Sequence, residues 1–409
     1  MVHRTGLRGV RLEDLSRWTA AERVGTSDDR DREREDEARG SEGSHGARVA
    51  DRTGVWIARG YASGVRIVVI GGRGFLGSRA VRALRVAGVE TVVAGRSGDV
   101  VVDLARPETF GALAGASVVV DCSSSHEVSP MALASHVLAH GGVLLSASSD
   151  AGVIDALLRA HRGSAGPGAL VLGAGIFTGV SNALARAAFD ALPGCEELVL
   201  GVRTSPFSGA GAGTIDLMID VLGAPTRTVV NGAITTGGSI ARGPALPFVE
   251  GTYATLEVPF AEPIMLHAST RVPNVTMYMA PAPSLLRLAF LSLPASLLRM
   301  RWARALMRLQ FLLLRRFVLA WLGARVGLVA IARAAEESRT LALTVNDGFA
   351  LAGAAIAAAA LALAARTPPP RGTFVVDELV SLDAMLSRAR SLAPSLRIET
   401  RGFSIGDAR

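Results

Sequence analysis

Val65-Arg66-Ile67-Val68-Val69-Ile70-Gly71-Gly72-Arg73-Gly74-Phe75-Leu76-Gly77 is the stretch that most narrows what this chain can fold into. A β-branched run stops at a cluster of glycines. Leu76, Ala80, Val81, Leu84 and Ala87 then recur at helical spacing until Gly88. Strand, tight turn and helix in that order are the setting in which Gly-x-Gly-x-x-Gly marks a dinucleotide site. Here Gly72 is expected to permit the turn. Gly74 would let backbone approach a pyrophosphate without a Cβ between them, and Gly77 would let the helix pack close to the strand. The helix N-terminus offers unpaired N–H groups to phosphates. The expected phosphate-side contacts are therefore Gly71, Gly72, Arg73, Gly74, Phe75, Leu76 and Gly77. A glycine turn with no ligand is the alternative reading.

The second strand, Glu90-Thr91-Val92-Val93-Ala94-Gly95, ends in Arg96-Ser97. Folds that bind NAD place Asp or Glu about 20 residues past the glycines, accepting from the ribose 2′-OH. A guanidinium at that place suits a 2′-phosphate instead, because it donates a forked pair of hydrogen bonds to an anion. Arg96 and Ser97 thus point to NADP(H); the bland alternative is a solvated surface arginine.

Further along, the α/β alternation is regular. Asp99 to Leu104 reads as a short strand whose Asp103 would face the adenine side. Arg106 to Ala114 reads as a helix, Ser117 to Cys122 as a buried strand, and Met131 to Ala139 as a helix. Gly142 to Ala147 and Ala169 to Gly173 continue the strands, with Gly152 to Ala160 and a segment ending at Leu192 as helices. Repeated βα units predict a doubly wound parallel sheet, with ligands at the carboxyl ends of its strands. Ser123 to Glu127, Ser148 to Asp150 and Gly175 to Asn182 should then surround the nicotinamide half, with Cys122, Ser123, Ser124 and Gly175 against the cofactor. After Asp190 the texture changes. Glu197 to Thr204 is strand-like, Ser208 to Thr214 opens a helix, and Arg227 to Ile240 and Thr252 to Met279 hold β-like runs broken by prolines, an α+β second domain.

These features together resemble the saccharopine dehydrogenase-like, NADP-binding reductase family. The matching residues are Gly71 to Gly77, Ala94-Gly95-Arg96, Gly175-x-x-x-Gly179-x-Ser181-Asn182, Ser208 to Thr214, and Arg371-Gly372-Thr373-Phe374-Val375-Val376-Asp377-Glu378 before an amphipathic helix. The resemblance implies a Rossmann domain (residues 65–192), an inserted α+β substrate or dimerisation domain (193–344), and C-terminal helices (345–409) returning to the Rossmann domain. It also implies an NADP(H)-dependent oxidoreductase acting on a small-molecule carbonyl, imine or enone. The hydride chemistry would belong to the cofactor. The rival reading is a non-catalytic, membrane-associated scaffold or redox sensor that keeps the nucleotide fold.

A reductase needs a proton donor beside the group that accepts hydride. The candidates are His126, Asp150 and Tyr253, with His267 weaker because it alternates with apolar residues as if facing solvent from a strand. Cys122 would act as a nucleophile only with a base beside it. Cys122 and Cys195 give neither a disulfide framework nor a metal-ligand spacing, so no metal is expected and a reducing cytoplasm suits the chain. A net charge of +7 would ordinarily raise nucleic-acid binding, but aromatics are only 5% and no nucleic-acid-binding motif is present. No nucleic-acid partner is expected.

Much of the positive charge sits between Ser284 and Ala335, a densely apolar stretch without Asp or Glu. Arg301, Arg304, Arg308, Arg315 and Arg333 fall on one stripe if the whole stretch is helical. It lacks the roughly 18 uninterrupted apolar residues of a membrane span. The expectation is peripheral membrane contact through residues 284–335, or else a hairpin buried against the second domain or a homodimer mate. Phe349 to Ala365, rich in alanine, is read as core. Residues 1–64 carry a mixed charge run (Ser27 to Glu37) and a Gly/Ser-rich segment, which predicts disorder and no assigned function.

Overall fold

The computed structural model describes residues 65–123, 128–163, 166–205, 219, 224–238, 240–284, 300–317 and 324–406. The expectations for residues 1–64, for Ser124 to Glu127, and for the helix after Thr214 lie outside the described residues.

The chain opens with β1 (Arg66–Ile70), α1 (Phe75–Val86), β2 (Glu90–Gly95) and β3 (Val100–Val101). A 3₁₀ helix (Pro107–Leu113) leads to β4 (Val118–Asp121), α2 (Met131–Ala139), β5 (Val143–Ser146), α3 (Ala151–His161), β6 (Ala169–Leu172) and α4 (Ser181–Asp190). Next come β7 (Glu197–Thr204), β8 (Arg227–Val230), β9 (Ala233–Thr236), β10 (Ala241–Phe248), β11 (Gly251–Glu257), α5 (Glu262–Thr270), β12 (Asn274–Pro281) and α6 (Arg301–Phe317). The hairpin β13 (Val326–Ala334) and β14 (Glu337–Val345) precedes α7 (Gly348–Ala364), β15 (Gly372–Val375), α8 (Val376–Leu379), α9 (Leu382–Leu392) and β16 (Ile398–Arg401).

Seven strands form one sheet in the order β15-β6-β5-β4-β1-β2-β3. Every pairing in it is parallel. Its strands are continuous apolar runs because helices cover both faces, and Ile67 to Ile70 are essentially inaccessible. The order reverses between β1 and β4, the place where open α/β sheets bind ligands. The doubly wound sheet and the mixed second domain are as expected.

The second sheet has nine strands, seven of them in the order β10-β11-β12-β7-β13-β14-β16, with the β8–β9 hairpin joined through β12. Only β7 and β12 run parallel in it. One face, through Leu198, Leu200 and Val202, packs on α4 in a core shared with the parallel sheet. The other face carries Val199, Phe248, Val329 and Tyr253 in a smaller cluster. After this excursion the chain returns: β15 becomes the edge strand of the parallel sheet beside β6, and β16 pairs with β14.

Helix α7 explains its own composition. It is buried almost throughout, and a Cβ on Gly353 would lie 2.5 Å from Arg79 Cβ of α1. Only small residues allow two helices this close. Asp347 caps it, its Oδ1 accepting from the N–H groups of Phe349 and Ala350, each at 2.9 Å. Among the described residues, no helix is long and apolar enough to cross a membrane.

Two local expectations fail. Ile264 to Ala268 belongs to α5 rather than a strand, because Pro263 sits at the helix start, where a missing N–H costs nothing. The arginine-rich stretch is not helical throughout. Residues 326–334 are the strand β13, so Arg333 leaves the stripe and pairs with Glu197 of β7 at 2.8 Å.

Candidate nucleotide and substrate site

The glycine turn follows β1 at the switch point. Gly71 takes the left-handed conformation (φ +71°), and a Cβ there would lie 2.7 Å from the Cys122 carbonyl oxygen. The residue that permits the turn is therefore Gly71, not Gly72. Gly72 instead lies close against Val69 O and Val93, each 3.0 Å from where a Cβ would be. Gly77 is packed beneath the turn, since its Cβ would sit 2.2 Å from Gly71 O. Gly74 differs from both: a Cβ would meet only Gly71 O, at 3.0 Å, and its outer side is open. Gly74 is also the N-cap of α1, and no side chain caps that end. Open donors at a helix N-terminus beside a residue without Cβ form a cradle that fits a pyrophosphate.

Arg73 is exposed at the turn. Phe75 turns its ring away, edge-on to Phe349 of α7 at 4.8 Å, with the Arg79 guanidinium over it. Leu76 packs on the core. Phe75 and Leu76 are thus placed to serve a ligand through backbone N–H groups, not through their side chains.

Arg96 and Ser97 stand exposed on the turn after β2. Asp99 braces that turn, its Oδ2 accepting from Val93 N–H at 3.1 Å. Asp103 is spent locally, accepting from Ala105 N–H at 3.1 Å and pairing with Arg106 at 3.5 Å.

After β4, the Asp121 carboxyl is buried and accepts from the Ser123 N–H (3.0 Å) and hydroxyl (2.6 Å). Burial pushes its pKa up, against the lowering effect of those two bonds. Burial, with the Asp121 charge beside it, also drives the Cys122 thiol well above its ordinary value. Burial thus disfavours the thiolate that a nucleophile needs, and the Cys122 backbone walls the glycine turn.

Three of the four proton-donor candidates can be located. Asp150 caps α3, its Oδ1 accepting from Gly152 N–H at 2.8 Å and Val153 N–H at 2.9 Å. Tyr253 lies on the sheet face away from α4, beneath the Arg203 guanidinium at 3.6 Å. Strand β11 turns that side chain toward the face that carries Phe248 and Val329. His267, in the last turn of α5, donates from Nδ1 to Val272 O at 2.9 Å. It lines a cavity of about 310 Å³ with Asp155, Arg159 and Arg271, at the helix C-termini and so remote from the strand ends. His126, with Ser124, lies outside the described residues.

The sequence reading missed Glu262. This carboxyl, wholly inaccessible at the start of α5, reaches from the second domain to the loop after β6. Its Oε1 accepts from Thr178 N–H at 3.1 Å and from the Ser181 hydroxyl at 3.0 Å. Thr178 is held left-handed (φ +62°), with its hydroxyl 3.3 Å from Ser148 O, so the loop is pinned to the end of β5 as well. Phe177 stacks on Phe260 at 5.8 Å beside it, and Gly175 begins the same loop. Burial raises the Glu262 pKa, with the backbone and hydroxyl hydrogen bonds lowering it less. A signal for this residue existed: Glu262-Pro263 is an acid and a proline at a helix start.

Several solved structures are similar to this chain at low sequence identity. Saccharopine dehydrogenase (L-Glu forming) from Saccharomyces cerevisiae superposes with a TM-score of 0.52 at 12% identity, covering 83% of this chain and all of its own. The two share a fold. A DAP dehydrogenase from C. glutamicum, solved with DAP, matches at 12% identity and a TM-score of 0.40, over 81% of this chain and 96% of its own. For a myo-inositol dehydrogenase from Corynebacterium glutamicum the values are 11%, 0.37, 83% and 99%. No protein-family model and no curated protein matches the sequence.

Proposed function

We propose that this chain is an NADP(H)-dependent oxidoreductase acting on an apolar small molecule that bears a carbonyl, imine or enone. The observation that carries the reading is the uncapped N-terminus of α1 behind the open Gly74, at the switch point of a parallel sheet. NADP(H), when bound, would supply or accept the hydride. The protein's own residues do the rest. Backbone N–H groups from Phe75 to Gly77 would receive the pyrophosphate, the Gly74 N–H being held by Gly71 O at 2.8 Å, and Arg96 with Ser97 would receive the 2′-phosphate. The Gly175 to Ser181 loop, fixed by Glu262, borders the nicotinamide half. The Phe177–Phe260 pair gives that border an apolar surface, which supports an apolar substrate. His126 follows β4 in sequence and is the proposed proton donor.

The shared fold with a saccharopine dehydrogenase supports dehydrogenase chemistry without naming a substrate. The test is to screen NADPH oxidation against carbonyl, imine and enone compounds of increasing apolar length. Turnover that rises with chain length and collapses in His126→Ala supports the reading. A protein that binds NADPH yet oxidises it with no compound in the panel favours the scaffold reading.

A further inference from the structure

Helix α6 presents two different faces. Ala303 and Met307 are buried, at 3% and 7% exposure, and Met307 joins the main core. This face ties the helix to the body of the protein. The other face is apolar and open: Trp302 is 60% exposed, Leu306 49%, Leu309 52% and Leu313 47%. These four positions span only about 60° of arc at about 100° per residue, so they form one straight row along three turns. Isolated exposed leucines need no explanation, but a continuous row headed by tryptophan does.

We propose that this row docks on an anionic membrane surface, lying in the interface with Trp302, Leu306, Leu309 and Leu313 among the acyl chains. Charge selects the occupant. No Asp or Glu occurs between Glu262 and Glu336, while nine arginines lie between Ser284 and Ala335. Arg304 and Arg308 are exposed on the same helix, off the apolar row. A second copy of this chain would bring two such acid-free, arginine-rich segments together, with like charges facing. An anionic lipid surface supplies the opposite charge, and its field reaches about a Debye length, comparable with the helix diameter of about 10 Å. A tryptophan and leucine row with arginines on the opposite, polar face is the composition of helices that lie in an interface rather than cross it. The docking is independent of the cofactor chemistry.

Co-sedimentation of the full chain with vesicles tests it. The two vesicle types are an equal mixture of phosphatidylglycerol and phosphatidylcholine, and phosphatidylcholine alone. The expected result is binding to the anionic vesicles at low salt, at least about tenfold weaker on the zwitterionic ones and weaker again in 0.5 M salt, where the Debye length falls to about 4 Å. Leu306→Asn with Leu309→Asn, both exposed and so compatible with folding, should reduce anionic binding about tenfold or more. Unchanged thermal unfolding would show that the variant is intact. Brominated acyl chains should quench tryptophan fluorescence, and Trp302→Phe should lose most of that quenching. Three outcomes overturn the proposal: no sedimentation at low salt, equal sedimentation of the double variant, or a wild-type dimer that the double variant splits while neither form binds vesicles. The last would assign the row to a second copy.

Discussion

Replacing Glu262 tests how the second domain shapes the site. In Glu262→Ala, Thr178 N–H and the Ser181 hydroxyl lose their common acceptor inside the protein. Each buried donor left unpaired costs about 1–3 kcal/mol, so the two together cost roughly 2–6 kcal/mol before any cavity term. For a domain of this size about 1 kcal/mol moves Tm by about 2–4 °C, so the alanine variant should melt roughly 4–24 °C lower. Glu262→Gln keeps an acceptor at the Oε1 position and should lose far less. The two variants also differ in pH dependence. Burial raises the folded-state pKa of Glu262, so the folded protein holds a proton that the unfolded chain releases as pH climbs past the ordinary carboxyl range. Stability from this group is therefore complete at low pH and falls as pH rises toward the folded value, by about 1.4 kcal/mol for each unit. Glutamine cannot titrate. Relative to wild type, Glu262→Gln should gain stability as pH rises above the ordinary carboxyl range, followed from pH 4 to pH 8. The assay is thermal unfolding of all three proteins across that range. An alanine variant as stable as wild type, or a wild-type-to-glutamine difference flat in pH, would refute the reasoning.

Gly77→Ala puts a Cβ 2.2 Å from Gly71 O, and overpacking of this kind costs about 1–3 kcal/mol. It should lower the urea midpoint and weaken nucleotide binding together. Arg96→Asp removes one charge-assisted contact, worth roughly 1.5–3 kcal/mol, and adds a repulsive charge. NADPH affinity should fall about tenfold or more while NADH is little affected, and equal weakening of both would make Arg96 a surface residue. Asp377, buried and pushed up to about 6 from 3.8, lowers stability as pH rises through that interval. Asp377→Asn should flatten the unfolding midpoint between pH 4 and 6, and an unaltered slope would contradict this.

The parallel sheet was legible because its strands are uninterrupted apolar runs ended by glycines, and the glycine turn because close packing leaves few alternatives. Alanine-rich α7 was legible for the same reason. Less was visible where tertiary context decides. Which glycine turns left-handed depends on the Cys122 carbonyl, 51 residues along the chain from Gly71. The side of the mixed sheet that Tyr253 faces depends on strand register, and one residue of register changes the face. Residues 326–334 look helical in composition but are held as a strand by β7 and β14 on either side. Glu262 escaped because a lone carboxylate in an apolar run reads as a surface residue until its partners, more than 80 positions away, are in view.

Titration of NADPH fluorescence with the wild-type protein and Gly74→Val is the most direct measurement of the central claim. Saturable NADPH binding to wild type, tighter than NADH, is expected, and so is its loss in Gly74→Val, whose side chain would occupy the open cradle at the N-terminus of α1 while leaving thermal unfolding nearly unchanged. Equal NADPH affinity in the two proteins, or no binding to wild type, would contradict it.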